Sequence, residues 1–443
     1  MKTIIKLYNT NSKKVEEFKP IEDKKVGMYS CGPTVYDVAH IGNLRAYVFV
    51  DVLFRFLKSQ GYEVKWVMNI TDIDDKTLKK AREENKPLKE ITDKYYKIFL
   101  DNLKSLNINI NDIKFVRATE HFTEMKELVD KLVEKGYAYK AEDGIYFDIS
   151  KFKEYGKLTG GDLSEADSRS RISSDAYDKE SVKDFALWKK DPDYPEGRPG
   201  WHIECSAMAA KYLGLPFDIH TGGVDLIFPH HTNEIAQTKA ATGKDLAKFW
   251  LHNEHLLVEG RKMAKSEGNY YTLQDIIDKG FSPMALRLEL LKAHYRSKLD
   301  FSWSSIKASQ SLLQDWRRFY VLSGRVKSED PGNKKRLDKM YEIFLIHLRN
   351  DLMVPKAISI VNTVANNPRS VGFAGKEFMR KVDEILGLKI AFEVPDEITQ
   401  KIKEMDVARD SGKFEESDRL RQEIEKQGFV IENSENGSYA IGR

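Results

Sequence analysis

Two strand-like segments on either side of an amphipathic helix most strongly limit what this chain can fold into. Residues 25–30 are predicted as a strand, and residues 62–70 as a second strand with β-branched and aromatic side chains. Residues 42–59 between them carry apolar side chains at helical spacing. This strand, helix, strand order predicts a βαβ unit of a parallel sheet. Ligands of such sheets bind at the carboxyl ends of the strands, where Cys31 and Thr71 stand.

The same alternation resumes after residue 198. Helices and strands are predicted in turn at 201–213, 217–220, 229–241 and 250–258. Further helices are predicted at 76–106 and 119–135, over most of the chain from 284, and as a pair from 398 that precedes a strand at 429–431. Between the two alternating regions, a hairpin at 137–149 and a polar, Ser-rich tract at 159–178, which we expect to be mobile, indicate an insertion.

These patterns predict an α/β fold class. We expect a Rossmann-type parallel-sheet domain with an insertion, followed by a helical bundle and a small α+β C-terminal domain. The length of 443 residues suits several domains. No apolar run reaches the roughly 18–20 residues of a membrane span, and the N-terminus lacks the apolar core of a secretion signal, so we expect a cytoplasmic protein with no membrane partner.

Charge alone predicts no partner, because 72 basic residues face 69 acidic ones. Its distribution is more informative. Residues 309–390 contain 15 basic and 9 acidic side chains, whereas residues 391–443 contain 8 and 13. The basic stretch could meet phosphates, although solvated helix faces have the same composition.

Four residues form a candidate metal site. His230 and Glu234 are four apart, so a helix places them on one face, although a histidine at a helix start can also act as a cap or pair with an acid. Cys31 and Cys205, the two cysteines of the chain, complete a set of types that zinc favours. Ligands spread over 200 residues suit a site that faces a substrate better than a compact structural zinc site.

Two further motifs suit a nucleotide. His40, Gly42 and Asn43 stand where the first strand passes into its helix, and free N–H groups at a helix start favour phosphate. The Gly-bounded loop 260–269 carries Lys262 and Lys265, which could clamp phosphates and neutralise a leaving pyrophosphate. A capping histidine and a solvated basic loop explain the same residues, and the motifs alone do not decide.

Together these residues resemble one family, the cysteinyl-tRNA synthetases, which are class I aminoacyl-tRNA synthetases. The matching segments are 28–37, 40–43, 69–76, 199–208, 218–220, 225–237 and 262–266, and the resemblance runs from about Tyr8 to the C-terminus. It implies that cysteine and ATP, with Mg2+, give cysteinyl-adenylate, and that the cysteinyl group then passes to the 3′ end of tRNA(Cys). We expect the protein to be a monomer.

The resemblance assigns roles to the candidate residues. One zinc ion per chain would bind the thiolate of the substrate and would be held by Cys31, Cys205, His230 and Glu234. His40, Gly42 and Asn43 would contact ATP, and Lys262 and Lys265 would hold its phosphates, so that His40, Asn43 and the two lysines carry the catalysis. Trp201 would form a wall of the cysteine pocket, with polar contacts from Thr71 and His220. Trp201 as a core aromatic, and Thr71 as the cap of a helix beginning at Asp72, are the structural alternatives.

The resemblance also implies a division into domains. The expected parts are the first half of the Rossmann catalytic domain (1–115), a connective insertion (116–198), the second half of the catalytic domain (199–250), a lysine-signature loop and stem-contact region (251–308), a helical bundle (309–390) and an anticodon-binding domain (391–443). Since the last part carries net negative charge, we expect it to recognise bases as well as phosphates.

Four positions depart from the family pattern. Asn43 replaces a usual histidine, and Ala264 replaces a usual serine to which no role is assigned. Thr221 replaces a common glycine, which disfavours a positive φ and would alter contacts near the adenine. Tyr439 stands in for a tryptophan near the C-terminus, and its expected role is either stacking on an anticodon base or packing.

Two other functions compete with this interpretation. The ligase that joins cysteine to a glucosaminyl-inositol acceptor in mycothiol synthesis shares the catalytic half but lacks the anticodon-type domain. A non-catalytic, zinc-dependent nucleic-acid-binding protein would need neither His40 nor Lys265. Pyrophosphate exchange separates it from both enzymes.

Overall fold

The N-terminal part of the chain builds the expected βαβ unit in this computed structural model, which describes residues 4–160, 171–172, 184–263, 267–326, 331–433 and 437–442. In chain order its elements are β1 (Lys6–Asn9), β2 (Lys14–Glu17), β3 (Lys25–Ser30), α1 (Ile41–Ser59), β4 (Glu63–Ile70), α2 (Asp75–Glu84), α3 (Leu88–Ser105) and β5 (Ile113–Arg117). β1 and β2 pair as an antiparallel hairpin. The predicted strands and the helix between them are confirmed, and their bounds differ from the predicted ones by at most one residue.

The single helix predicted at 76–106 is wrong. Two helices, α2 and α3, cover this stretch, and Asn85 between them adopts a left-handed conformation with φ of 50°. Pro87, which precedes α3, cannot donate a backbone hydrogen bond and disfavours helix at Lys86. The chain therefore changes direction at 85–87.

The insertion carries its own antiparallel sheet. Its elements are α4 (Phe122–Glu134), β6 (Ala138–Lys140), β7 (Gly144–Phe147), β8 (Arg171–Ile172), β9 (Asp184–Asp191) and β10 (Tyr194–Pro199). The strand order is β10-β9-β7-β6, and β8 pairs with β9. The predicted hairpin is confirmed in β6 and β7, whereas most of the polar tract at 159–178 lies outside the described residues.

The second half of the central sheet follows. It consists of α5 (Trp201–Leu213), β11 (Phe217–Gly223), α6 (Thr232–Thr242) and β12 (Ala247–Asn253). All neighbouring strands pair in parallel, in the order β12-β11-β3-β4-β5. Their carboxyl ends therefore meet at one edge, as predicted. The predicted helix at 229–241 begins only at Thr232, because the chain first makes a wide turn at 227–231 in which Phe228 has non-helical φ and ψ.

The C-terminal half is mainly helical. Its elements are β13 (Leu256–Val258), β14 (Arg261–Lys262), α7 (Leu273–Asp278), α8 (Pro283–Leu291), β15 (Leu299–Phe301), α9 (Trp303–Gly324), α10 (Pro331–Arg349), α11 (Val354–Ala365), α12 (Phe373–Leu386), α13 (Asp396–Asp410), α14 (Phe414–Lys426), β16 (Phe429–Glu432) and β17 (Tyr439–Gly442). The strand predicted at 250–258 is wrong as one element, since β12 ends at Asn253 and β13 belongs to a separate sheet with β14 and β15. The α/β fold with a helical region and a small α+β end is confirmed.

Two large apolar cores cover the two faces of the central sheet. One contains Trp66 and Leu53 and continues without a break into the helical region at Trp316. The other contains Val67 and the insertion residue Phe185. A third, small core lies within 398–440. Within the described ranges, no helix is long and apolar enough to cross a membrane.

We propose the six-part division of the sequence as the domain organisation. Two of its boundaries need adjustment, because β5 crosses residue 115 and β12 crosses residue 250. Both strands belong to the central sheet, so we propose that the catalytic segments end at 117 and 253.

Candidate active site

The four predicted metal ligands meet at the carboxyl edge of the sheet. One ligand atom from each of Cys31, Cys205, His230 and Glu234 lies within 4.8 Å of the corresponding atoms of the other three. The two Sγ atoms are 4.0 Å apart, and His230 Nε2 is 2.9 Å from Glu234 Oε1. Cys31 follows β3, Cys205 lies in α5, and the turn before α6 places His230 over Glu234 even though His230 itself is not in the helix.

Two histidines that the sequence does not predict as metal ligands form a second, overlapping set. His220 Nε2 is 2.9 Å from Glu234 Oε2, and His231 Nε2 is 3.3 Å from Cys31 Sγ. With Cys31 and Glu234 they also satisfy the geometry of a metal-ligand cluster. His220 had been assigned to the substrate, while His231 was missed, although its position three residues before Glu234 on the same helical face was a usable signal.

Burial and close charges perturb these groups. Burial opposes ionisation of Glu234, but His220 and His230 lower its pKa to about 2. Burial likewise opposes protonation of His230, yet Glu234 and Cys205 raise its pKa to about 10. Despite its burial, Cys205 has a pKa lowered to about 6 by a hydrogen bond from Cys31 and by His230. Burial and Cys205 raise the pKa of Cys31.

The donor set fits zinc. Two thiols, an imidazole and a carboxylate are the ligand types that zinc accepts in fourfold coordination. A metal-bound histidine usually has a hydrogen-bond partner on its second ring nitrogen, and His230 Nδ1 lies 3.0 Å from Nδ1 of the buried His202. His231 in turn contacts His252, which reaches Thr10 in the N-terminal hairpin region. Hydrogen bonds from these surrounding residues therefore hold the cluster in place.

Of the three residues assigned to the cysteine pocket, Trp201 and His220 contact members of the cluster, and Thr71 bonds to Glu204, the chain neighbour of Cys205. The half-buried ring of Trp201 stacks on His230 with a centroid distance of 4.3 Å. Thr71 is buried, and its hydroxyl donates to Glu204 at 2.8 Å. The alternative that Thr71 caps a helix beginning at Asp72 is wrong, because α2 begins at Asp75 and Asp74 caps it.

A cavity of about 800 Å³ opens next to Cys31 and is lined by described residues of both nucleotide motifs. Its described wall includes His40, Gly42, Asn43 and Lys262, together with residues 253–256. A Cβ on Gly42 would approach Met263 Cε to 2.7 Å and the His40 ring to 2.9 Å, so a larger residue here would displace these two side chains. The volume suits a nucleotide-sized ligand.

His40 and Asn43 cap α1 as well as lining the cavity. The Asn43 N–H donates to His40 Nδ1, and the His40 N–H donates to Asn43 Oδ1, both at 3.2 Å. The capping alternative is therefore observed, and it leaves His40 Nε2 and Asn43 Nδ2 for other partners. Burial lowers the pKa of His40 to about 4 against the opposing charge of Asp225, so the imidazole is neutral at pH 7.

The lysine loop is described only in part. Lys262 is exposed in β14 on the cavity wall, and its carbonyl accepts a hydrogen bond from Asn269 Nδ2 at 3.0 Å. Lys265 and Ala264 lie outside the described residues.

Two of the residues that depart from the family pattern are buried and form hydrogen bonds within the fold. Thr221 is buried inside β11, where its hydroxyl donates to Ser30 Oγ at 2.9 Å, and it is not among the described residues of the cavity wall. Thr221 thus fastens β11 to β3, and the expected change of contacts near the adenine stays a prediction. Tyr439 is 7% exposed and its hydroxyl donates to Glu432 at 2.8 Å, which is the packing arrangement.

Comparison with known proteins gives consistent matches. A family model described as "tRNA synthetases class I (C) catalytic domain" matches residues 17–311. Proteins named cysteine–tRNA ligase are 40% identical in Brachyspira hyodysenteriae, over 99% of both chains, and 41% identical in Chlamydia pneumoniae, over 97% of this chain and 96% of the relative. A third, from Leptospira interrogans, is 40% identical over 98% of both chains.

Solved structures share the fold at low sequence identity. Methionyl-tRNA synthetase of Mycobacterium tuberculosis in complex with methionyl-adenylate superimposes with a TM-score of 0.59 at 13% identity, over 82% of this chain and 90% of that one. A putative arginyl-tRNA synthetase from Campylobacter jejuni gives a TM-score of 0.52 at 16% identity, over 84% of this chain and 92% of that one.

Proposed function

The chain belongs to the cysteine–tRNA ligase family of class I synthetases, and we propose that the buried cysteine–histidine–glutamate cluster and the adjoining cavity form its active site. The enzyme activates cysteine with ATP and transfers the cysteinyl group to tRNA. The observation that carries the residue assignment is the position of the cluster, which borders the same cavity as the nucleotide motifs.

One zinc ion per chain is held by Cys31, Cys205, His230 and Glu234 in this proposal. When bound, zinc supplies a centre that prefers the thiolate of cysteine to the hydroxyl of serine. His202 fixes the ring of His230, and His220 orients Glu234 through its other oxygen. Because the cluster itself distinguishes the two amino acids, no separate editing site is needed.

Trp201, Thr71 and His220 shape the cysteine pocket. The Trp201 ring lies over His230 and offers an apolar wall beside the cluster. Thr71 and His220 are bonded to Glu204 and Glu234, so we assign them the task of holding the polar floor of the pocket.

ATP, with Mg2+, occupies the cavity between the two motifs. Neutral His40 donates a hydrogen bond from Nε2, and Asn43 donates from Nδ2, to the phosphates at the start of α1. Gly42 lets the nucleotide approach the backbone closely. Lys262 and Lys265 neutralise the charge that develops on the leaving pyrophosphate, and for Lys265 this assignment rests on the sequence alone.

The partner is tRNA(Cys), bound by a monomer in the cytoplasm. Tyr439 is too buried to stack on an anticodon base, whereas Phe414, at the start of α14, is 65% exposed. We assign anticodon stacking to Phe414, because an exposed aromatic ring offers a face to any unpaired base. The small C-terminal core at 398–440 favours a tRNA over the glucosaminyl-inositol acceptor, whose ligase lacks this domain.

The test is aminoacylation with labelled cysteine. We expect the purified protein to charge a tRNA(Cys) transcript and to leave glucosaminyl-inositol unmodified. A matched transcript with an altered anticodon should be charged poorly. Charging of neither acceptor, with intact cysteine-dependent pyrophosphate exchange, would contradict the assignment of the partner.

A further inference from the structure

Arg45 is a buried arginine one turn into α1, two residues after Asn43. Arg45 is only 2% exposed. Its guanidinium group donates four hydrogen bonds, all to backbone carbonyls. Nη1 donates to Glu254 at 2.7 Å and His255 at 2.8 Å, and Nη2 donates to His294 at 3.1 Å and Ser297 at 2.6 Å. Burial lowers its pKa to about 10, so the group remains a cation at neutral pH.

These four carbonyls belong to two segments with different positions in the fold. Residues 254–255 join β12 to β13 and line the nucleotide cavity. Residues 294–297 join α8 to β15 and are not among the described residues of the cavity wall. The Glu254 N–H donates to the Tyr295 carbonyl at 2.7 Å, and the Leu299 N–H donates to the His255 carbonyl at 3.2 Å. The two segments therefore form one layer.

We propose that Arg45 is a positioning residue for ATP. It fixes this layer, and with it the cavity wall formed by residues 254–255, relative to the start of α1, where His40 and Asn43 stand. The inference rests on the proposed function, since it takes the ligand of the cavity to be ATP. Four directed donors from one planar group hold two segments at once, whereas a lysine ammonium offers three donors from a single point. Small shifts of a binding wall weaken binding and reaction strongly.

Arg287 in α8 is a matched control. It is also fully buried, and it donates to the carbonyls of Leu386 and Leu106 and to the carboxylate of Asp51. None of these three partners is among the described residues of the cavity wall. Substitution of Arg287 thus removes a comparable buried guanidinium group without releasing the 254–255 segment.

The experiment compares Arg45→Lys with Arg287→Lys in the full-length protein, using cysteine-dependent pyrophosphate exchange. We expect Arg45→Lys to raise the KM for ATP at least about tenfold while the KM for cysteine stays within about twofold. Arg287→Lys should lower the melting temperature to a similar extent and leave both KM values unchanged. Equal KM values for ATP in the two variants would overturn the proposal, because Arg45 would then be merely structural.

A measurement on the wild-type protein keeps the proposal testable if Arg45→Lys does not fold. Hydrogen exchange is followed with and without a non-hydrolysable ATP analogue. We expect the analogue to slow exchange both at residues 254–257 and at residues 294–299. Protection confined to 254–257 would overturn the proposal. Absence of cysteine-dependent exchange in the wild type, with protection by the analogue intact, would instead contradict the proposed function.

Discussion

Replacement of Cys205 by serine should release the proposed zinc ion. Cys205 is 1% exposed, and its Sγ is 4.0 Å from that of Cys31. Structural zinc sites gain about 10–16 kcal/mol from four ligands, so one ligand accounts for roughly 3 kcal/mol, or about a 100-fold change in affinity. The serine hydroxyl does not ionise near neutral pH and is a poor replacement for a thiolate.

The assay is a chelator competition that measures zinc affinity, with the KM for cysteine measured on the same samples. Ala207→Ser is the matched control, because Ala207 is also buried in α5 and receives the same new hydroxyl group away from the cluster. We expect Cys205→Ser to lose affinity for zinc about 100-fold and to need more cysteine, while Ala207→Ser retains both properties. Zinc affinity within about threefold of wild type in Cys205→Ser would refute the ligand assignment.

Three further predictions concern the nucleotide and the tRNA. Lys265→Ala should slow adenylate formation at least about 100-fold without weakening tRNA binding in a filter assay, and equal losses in both would count against a role on the phosphates. Phe414→Ala should raise the KM for tRNA about tenfold while leaving pyrophosphate exchange unchanged, whereas Tyr439→Phe should leave the KM for tRNA unchanged. A raised KM for tRNA in Tyr439→Phe but not in Phe414→Ala would favour Tyr439 as the stacking group. The pKa of His40 is lowered to about 4 in the fold, so its contribution to stability is present above pH 6.5 and is lost as the pH falls towards 4. In urea unfolding, the free energy of unfolding should fall less over this pH range in His40→Asn, which keeps a capping acceptor, than in the wild type. The same pH dependence of that free energy in both proteins would contradict the assignment.

The parts of the fold that the sequence predicted are those in which local pattern and tertiary packing agree. The strands at 25–30 and 63–70 are buried towards their carboxyl ends, where apolar side chains point to both faces because both faces of the parallel sheet are covered. The helix at 76–106 was predicted wrongly because its apolar spacing continues across a break. That break depends on the left-handed conformation of Asn85 and on Pro87, and the proline was a visible signal.

The residues of the candidate site were also predicted only in part from the sequence. The spacing of His230 and Glu234, together with the two cysteines, was enough to predict a cluster that the structure brings together. The spacing of His231, three residues before Glu234, was a signal that the two share a face, but its contact with Cys31 could not be predicted because that contact depends on the wide turn at 227–231. Likewise, Arg45 carries no local signal, since all four of its acceptors lie more than 200 residues away in the sequence.

Cysteine-dependent exchange of labelled pyrophosphate into ATP tests the central claim most directly, with serine as the control amino acid and zinc content measured on the same sample. We expect exchange with cysteine but not with serine, about one zinc per chain, and loss and recovery of exchange when zinc is removed and restored. Exchange that persists at full rate without zinc, or that serine supports equally well, would contradict the claim that the cluster of Cys31, Cys205, His230 and Glu234 selects the substrate.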